Sequence, residues 1–334
     1  MKSIPTIDAH HHIWRLNDLP WLSGPQAPRI FGAYQPICRD YPIDEFRRDI
    51  AGCDIVKSIY IQTNWPAGQS QDEARWVQSV ADSTGWPSAN VAHADLADPD
   101  AGALIGRLAR LPATRGIRQQ LHWHENPQYR FAPRPDVMND GDWRRGLALL
   151  ADHGLLFELQ IFASQMMDGA SLARAFPDVV FVLEHAGMLE DMSPQGWQRW
   201  REGMSALAEC PNVNVKLSGL GTFVRACRAD VMGPIVAETV AMFGADRCCY
   251  GSNFPIEKLW TDYATLYRTF RNAIAHLGES EQAAILHDTA ARSTACSATG
   301  VAAAGGWQYR RHDGCVIHGV LFSNDAAPFR TRPP

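Results

Sequence analysis

The stretch Thr6-Ile7-Asp8-Ala9-His10-His11-His12-Ile13 decides how the rest of the chain is read. It starts and ends on β-branched residues, holds no glycine or proline, and is predicted to be a strand. Side chains alternate along a strand, so His10 and His12 share one face and His11 takes the other. Two imidazoles on one face can hold a divalent ion from two directions, provided that face opens at the mouth of a barrel. A polar cluster at a strand end, without an ion, is the plainer alternative.

Seven further runs, at 57–62, 90–96, 116–121, 155–162, 179–185, 213–218 and 247–252, read as buried strands. Several are continuously apolar, as strands covered on both faces are. Helical patterns lie between them: 71–84 before Gly85, 142–153 before Gly154, 234–243 before Gly244 and 261–277 before Gly278. Another helix is expected to start at Ser193-Pro194, a capping serine with proline at the first helical position. Strands alternating with helices imply parallel pairing and right-handed crossovers. Eight strands favour closure. The expected fold class is therefore α/β, a single-domain, distorted (β/α)8 TIM barrel over residues 1–292.

Two stretches, 19–42 and 126–138, are too long or too proline-rich for ordinary connections and read as rim loops over the site. Residues 293–334 show no period and read as an irregular tail. A shifted reading frame is one account of it. Codons for Arg292-Ser293-Thr294 and the following Ala-Cys-Ser, read from the last base of the arginine codon, can spell Phe-Tyr-Arg-Leu-stop.

The bulk numbers exclude more than they select. A net charge of −5 with no basic tract argues against a nucleic-acid partner. No apolar run approaches the roughly 20 residues of a membrane span. The N-terminus lacks a signal-peptide core, and the eight cysteines show no CxxC spacing, so a cytoplasmic protein with reduced thiols is expected. Homo-oligomerisation is left open.

Chemistry-bearing residues gather at strand ends. His185 closes the sixth strand in Phe-Val-Leu-Glu-His-Ala-Gly, on the rim that should also hold His10 and His12, because parallel strands share one C-terminal face. Arg118, inside the fourth strand, needs a substrate carboxylate or an internal acid as partner. Tyr129, Arg130 and Lys258 sit on expected rim segments and suit an anionic or hydroxyl-rich small molecule. Lys216 can face the mouth or reach outward. Trp14, Trp65 and Trp123 each follow a strand and are candidate pocket walls.

Four motifs then resemble a known family: Ile7-Asp8-Ala9-His10-His11-His12-Ile13-Trp14, Glu184-His185-Ala186-Gly187, Val215-Lys216-Leu217-Ser218-Gly219-Leu220 and Tyr250-Gly251-Ser252-Asn253-Phe254-Pro255. In this order they resemble the amidohydrolase-2 branch of the amidohydrolase superfamily, in the group that includes L-fuconolactonase and 2-pyrone-4,6-dicarboxylate lactonase. The resemblance implies His10, His12 and His185 as ligands of a divalent metal such as Zn or Mn. A metal-independent mechanism stays open, since members of the group differ. It also implies a hydrolase of the lactonase type (EC 3.1.1), and alternatively a decarboxylase of an unsaturated or aromatic acid.

Asn253 departs from the family pattern, which commonly has an aspartate there. A neutral amide cannot be a general base, although its carbonyl can orient water. A ligand-binding protein that has lost its base is therefore a third reading. If a base exists elsewhere, the candidates are Glu158 and Gln160 on one face of the fifth strand, Asp95 on the third, and His122 and His124 just after the fourth. His124 and Gln160 double as candidate substrate contacts.

Overall fold

The computed structural model describes residues 3–294. All eight expected strands are present: β1 (Thr6–His11), β2 (Ile55–Ile61), β3 (Ala89–His93), β4 (Thr114–Arg118), β5 (Leu156–Leu159), β6 (Phe181–Leu183), β7 (Val213–Leu217) and β8 (Cys248–Tyr250). They form one sheet in sequential order, each paired in parallel with the next. Around it lie α1 (Ile43–Asp49), α2 (Ser70–Thr84), α3 (Ala101–Leu108), α4 (Gly141–Asp152), α5 (Met166–Ala175), α6 (Pro194–Ala208), α7 (Ala229–Phe243) and α8 (Tyr263–Ala273). This is the (β/α)8 TIM barrel. The irregular tail and its frame question lie, from residue 295 onward, outside the described residues. Among the described residues, no helix is long and apolar enough to cross a membrane.

The helix signals hold where caps are real. The Ser193 hydroxyl accepts the Gly196 N–H at 3.1 Å and opens α6. Gly85, at φ +75°, closes α2. The start expected at Pro234 is corrected: α7 begins five residues earlier, at Ala229, and carries the proline within it.

The ring closes through side chains as well as backbone. Past the end of β8, Ser252 N–H donates to Asp8 Oδ1 at 2.8 Å and Asn253 N–H donates to the His10 carbonyl at 2.7 Å. His12 N–H in turn donates to the Phe254 carbonyl at 2.7 Å. Asp8 also accepts the His10 N–H at 3.1 Å and the Tyr263 hydroxyl of α8 at 2.9 Å. One buried carboxylate thus ties the first strand, the segment after the last, and the helix behind them. Its burial raises its pKa, while these donors favour the charged form.

β1 carries an irregularity that sets the site. Asp8 pairs with Ser58 and His11 with Tyr60, so three steps on β1 match two on β2. The extra residue is a bulge, and it reverses which face later side chains take. Ile7 and Ala9 pack inside the barrel with Ile59, Val91, Leu156 and Val182. Regular alternation would then turn His10 outward. With the bulge, His10 and His12 both face inward, and His11 stacks on Phe46 of α1 at 4.0 Å. Apolar side chains therefore fill the lower barrel, and polar ones gather near its C-terminal end.

Candidate active site

Three imidazoles from two distant parts of the chain meet at the mouth. The ring centroids of His10 and His185 are 4.6 Å apart, and those of His10 and His12 are 5.1 Å apart. His12 Nδ1 bonds the Ile61 carbonyl at 2.7 Å, which makes Nδ1 the N–H donor and leaves a lone pair on Nε2. His185 Nδ1 bonds the Ser218 hydroxyl at 2.9 Å. Both nitrogens of His10 are buried without a hydrogen-bond partner. Burial, reinforced by neighbouring cations, holds the rings neutral: His12 falls to about 3, His185 to about 4, and His10 lies well below the usual histidine range.

Glu184 is the residue the sequence reading missed. It is fully buried, with one oxygen 3.6 Å from His10 Nδ1 and the other 3.8 Å from His185 Nε2. Arg118 Nη1 donates to both its oxygens at 3.1 Å, and Nη2 donates to the Gln62 carbonyl. Burial opposes the charge on Glu184, but Arg118, His185 and Lys216 outweigh it and hold the carboxyl below the usual range. The internal acid that Arg118 needed is therefore Glu184. Its presence was signalled only by that need.

His185 and Glu184 are consecutive, yet both reach the site. The backbone at His185 and Ala186 is left-handed, with φ of +55° and +47°. That turn swings His185 back over the mouth while Glu184 continues the inward face of β6. Non-glycine residues held left-handed carry strain, and strain of this kind concentrates at functional sites.

The donors fit a divalent ion. Ligand atoms of His10, Glu184 and His185 lie within 4.8 Å of one another. They supply two neutral imidazole nitrogens and a carboxylate oxygen, and His10 has no other use for its lone pair.

The pocket above is lined by His10, His12, His185, His122, Gln160, Asn253, Arg118, Tyr129, Arg130 and Trp14 from the expected set, and also by Gln62 and Gln120. Both long loops reach it, the first through Trp21, Arg29 and Phe31 and the second through Gln128, Tyr129 and Phe131. His122 is neutral there, held down at about 3 by burial.

Several expectations are corrected. Trp65 is not brought to the pocket: it packs on Trp76 of α2 at 5.9 Å, after Asn64 turns the chain at φ +61°. His124 lies outside the lining. Its Nδ1 accepts the Asn126 N–H at 2.9 Å. Trp123 is also outside the lining, under the Arg130 guanidinium. Asp95 accepts from Gln119, and Lys258 pairs with Glu45 and Asp49 of α1. Glu158 faces the barrel interior but lies below the pocket lining, bonded to Lys216 at 2.5 Å. Burial pushes its carboxyl up while Lys216 pulls it back.

Behind Asn253 stands a second unforeseen acid. Glu257 is buried, accepts Trp260 Nε1–H at 2.8 Å, and meets the Asn253 side chain. Burial pushes it up to about 8. Between its ordinary 4.5 and about 8 the native state keeps a proton that the unfolded chain has lost. Stability should therefore fall as pH rises through that window, by at most about 1.4 kcal/mol per unit. Urea unfolding of wild type and Glu257→Gln from pH 5 to 9 should show this slope flattened in the variant.

The glycine of Leu217-Ser218-Gly219 makes room for His185. Gly219 has φ +60°, and a Cβ there would stand 2.7 Å from His185 Nδ1. Gly219→Ala should cost about 1–2 kcal/mol for the left-handed backbone alone. It should also displace the ring from Ser218, seen as a lower unfolding midpoint and a changed His185 NMR signal.

Comparisons with known proteins agree with this geometry. The amidohydrolase family model matches residues 7–293. The uncharacterised protein y4mH of Sinorhizobium fredii is 36% identical over 293 residues, covering 87% of this chain and 98% of that one. L-fucono-1,5-lactonase of Burkholderia ambifaria is 28% identical over 255 residues, covering 76% of this chain and 81% of its own. A crystal structure of an amidohydrolase from Burkholderia multivorans with bound zinc superposes with a TM-score of 0.73 at 26% identity, covering 87% of this chain and 99% of the other. A barrel whose polar mouth is built from the first, fourth and sixth strands, matched by a family model along nearly all its described length, assigns the chain to the amidohydrolase family.

Proposed function

We propose that this amidohydrolase opens a lactone by attack of water at the barrel mouth. The observation that carries the reading is the convergence of His10, His185 and Glu184 beneath an open pocket. The similarity to L-fucono-1,5-lactonase supports the lactone as substrate class.

Ring opening needs a proton acceptor for water, a donor for the carbonyl oxygen and a proton for the leaving alkoxide. Among the described lining residues there is no aspartate or glutamate. The acceptor is therefore an imidazole: His12 Nε2 carries a free lone pair because Nδ1 is bonded to Ile61, and the proton it takes from water passes on to the leaving alkoxide. His122 supplies an N–H group for the carbonyl. Asn253 orients water through its amide, held by its backbone bond to His10 and by Glu257. Glu158 keeps Lys216 paired below the floor and is not the base. Tyr129, Arg130 and Gln160 shape the substrate's place. His10, Glu184 and His185 would hold a divalent metal such as Zn or Mn, which leaves His12 Nε2 free as the acceptor. Bound there, it supplies Lewis-acid polarisation and a lowered pKa for water.

The test pairs metal analysis of the purified protein with a panel of sugar lactones and carboxylate-bearing lactones, run on wild type and Asn253→Asp. Turnover with ring opening and no released carbon dioxide is expected. Carbon dioxide release would turn the reading to a decarboxylase. Ligand binding without turnover in both forms, with or without added Zn or Mn, would leave only a binding protein.

A further inference from the structure

We propose that Arg29, on the loop after β1, is the receptor for a carboxylate on the substrate. This rests on the lactonase reading for the substrate's ring and adds the group that selects it. Three arginines line the pocket, and two are already engaged. Arg118 is bonded to Glu184 and the Gln62 carbonyl. Arg130 donates to the His124 and Glu125 carbonyls at 3.1 and 3.0 Å and lies over Trp123. The Arg29 side chain has no hydrogen bond or ion pair among the described residues, and its Nε is buried without a partner.

The position is built. The Arg29 carbonyl accepts Gln128 Nε2–H at 3.1 Å from the other rim loop, and Gly32 N–H at 3.0 Å. Its guanidinium lies over Trp21 at 5.3 Å, and Trp21 Nε1–H is anchored on the Thr63 carbonyl at 2.8 Å. A planar cation held against an aromatic wall of the pocket can offer its N–H fork to a ligand there. Such a fork matches a carboxylate with two parallel hydrogen bonds. The remaining walls near it, Trp14, Phe31 and Phe131, are aromatic faces that suit a flat ring rather than a fully hydroxylated one.

The test uses benzoate and benzamide as unreactive probes, followed by tryptophan emission from the pocket. Wild type should bind benzoate at least about tenfold more tightly than benzamide, the low end for a charge-assisted pair. Arg29→Met should abolish that preference, and Arg29→Lys should keep part of it and guards against a misfolded methionine variant. Equal binding of the two probes by wild type, or an unchanged preference in Arg29→Met, overturns the proposal. In parallel, the kcat/KM ratio of a carboxylated lactone to its carboxamide is measured in each variant, and it should fall with Arg29→Met. Benzoate selectivity that depends on Arg29 without any lactone turnover would sink the lactonase reading alone. Lactone turnover with a ratio indifferent to Arg29 would sink the carboxylate receptor alone.

Discussion

Glu184→Ala should be among the most destabilising single changes in the barrel, lowering stability by about 3–5 kcal/mol. Arg118 is nearly fully buried, and two of its hydrogen bonds go to Glu184. Removing the acid leaves a guanidinium in low dielectric with one carbonyl as its remaining partner. Lys216 loses part of its counter-charge in the same stroke. Urea unfolding should show a lower midpoint with an unchanged slope. The cost belongs to the orphaned charge more than to the lost contact. The double variant Arg118→Met with Glu184→Leu should therefore recover much of the loss. A midpoint equal to wild type in Glu184→Ala would show that the buried pair does not form.

His185→Asn should leave the fold nearly intact and remove most activity. Asparagine tolerates the left-handed backbone that this position adopts at φ +55°. The change forfeits the bond to Ser218, worth about 1 kcal/mol. On the lactone that wild type opens best, kcat/KM should fall by about 10²–10⁴-fold, the usual scale for a lost acid–base or polarising group. His185→Val separates the two effects, since a β-branched residue there should cost a further 1–3 kcal/mol or so. Undiminished turnover in His185→Asn, with normal unfolding, would remove His185 from the chemistry.

The barrel was legible because most strand residues are buried on both faces, so several strands read as apolar runs. Helices α1, α3 and α5 were not read. They are short, two of them carry glycine, and none has a side-chain cap at its N-terminus. Pro234 misled because proline usually marks a first turn. At the site, strand parity puts His10 and His12 on one face and the shared rim adds His185, but only the bulge in β1 turns that face inward. Glu184 could not be placed: alternation sends neighbours to opposite faces, and only the left-handed turn at His185 brings both to one place. Trp65, His124 and Lys258 show the converse. Nearness to a strand end says where the chain leaves the barrel, not which way the loop then carries its side chains. Arg29 carried no signal at all, because its significance depends on which other arginines are already engaged.

The bulge in β1 gives the first strand an unusual tolerance profile. Between Asp8 and His11, losing Ala9 would remove the bulge and let plain alternation run on from Ile7, so His10 and His12 would still enter the mouth and His11 would still meet Phe46. A first strand one residue shorter at that point can therefore keep its catalytic face, so homologues of this chain should tolerate that single-residue change of length there, while a one-residue change after His10 should not be found.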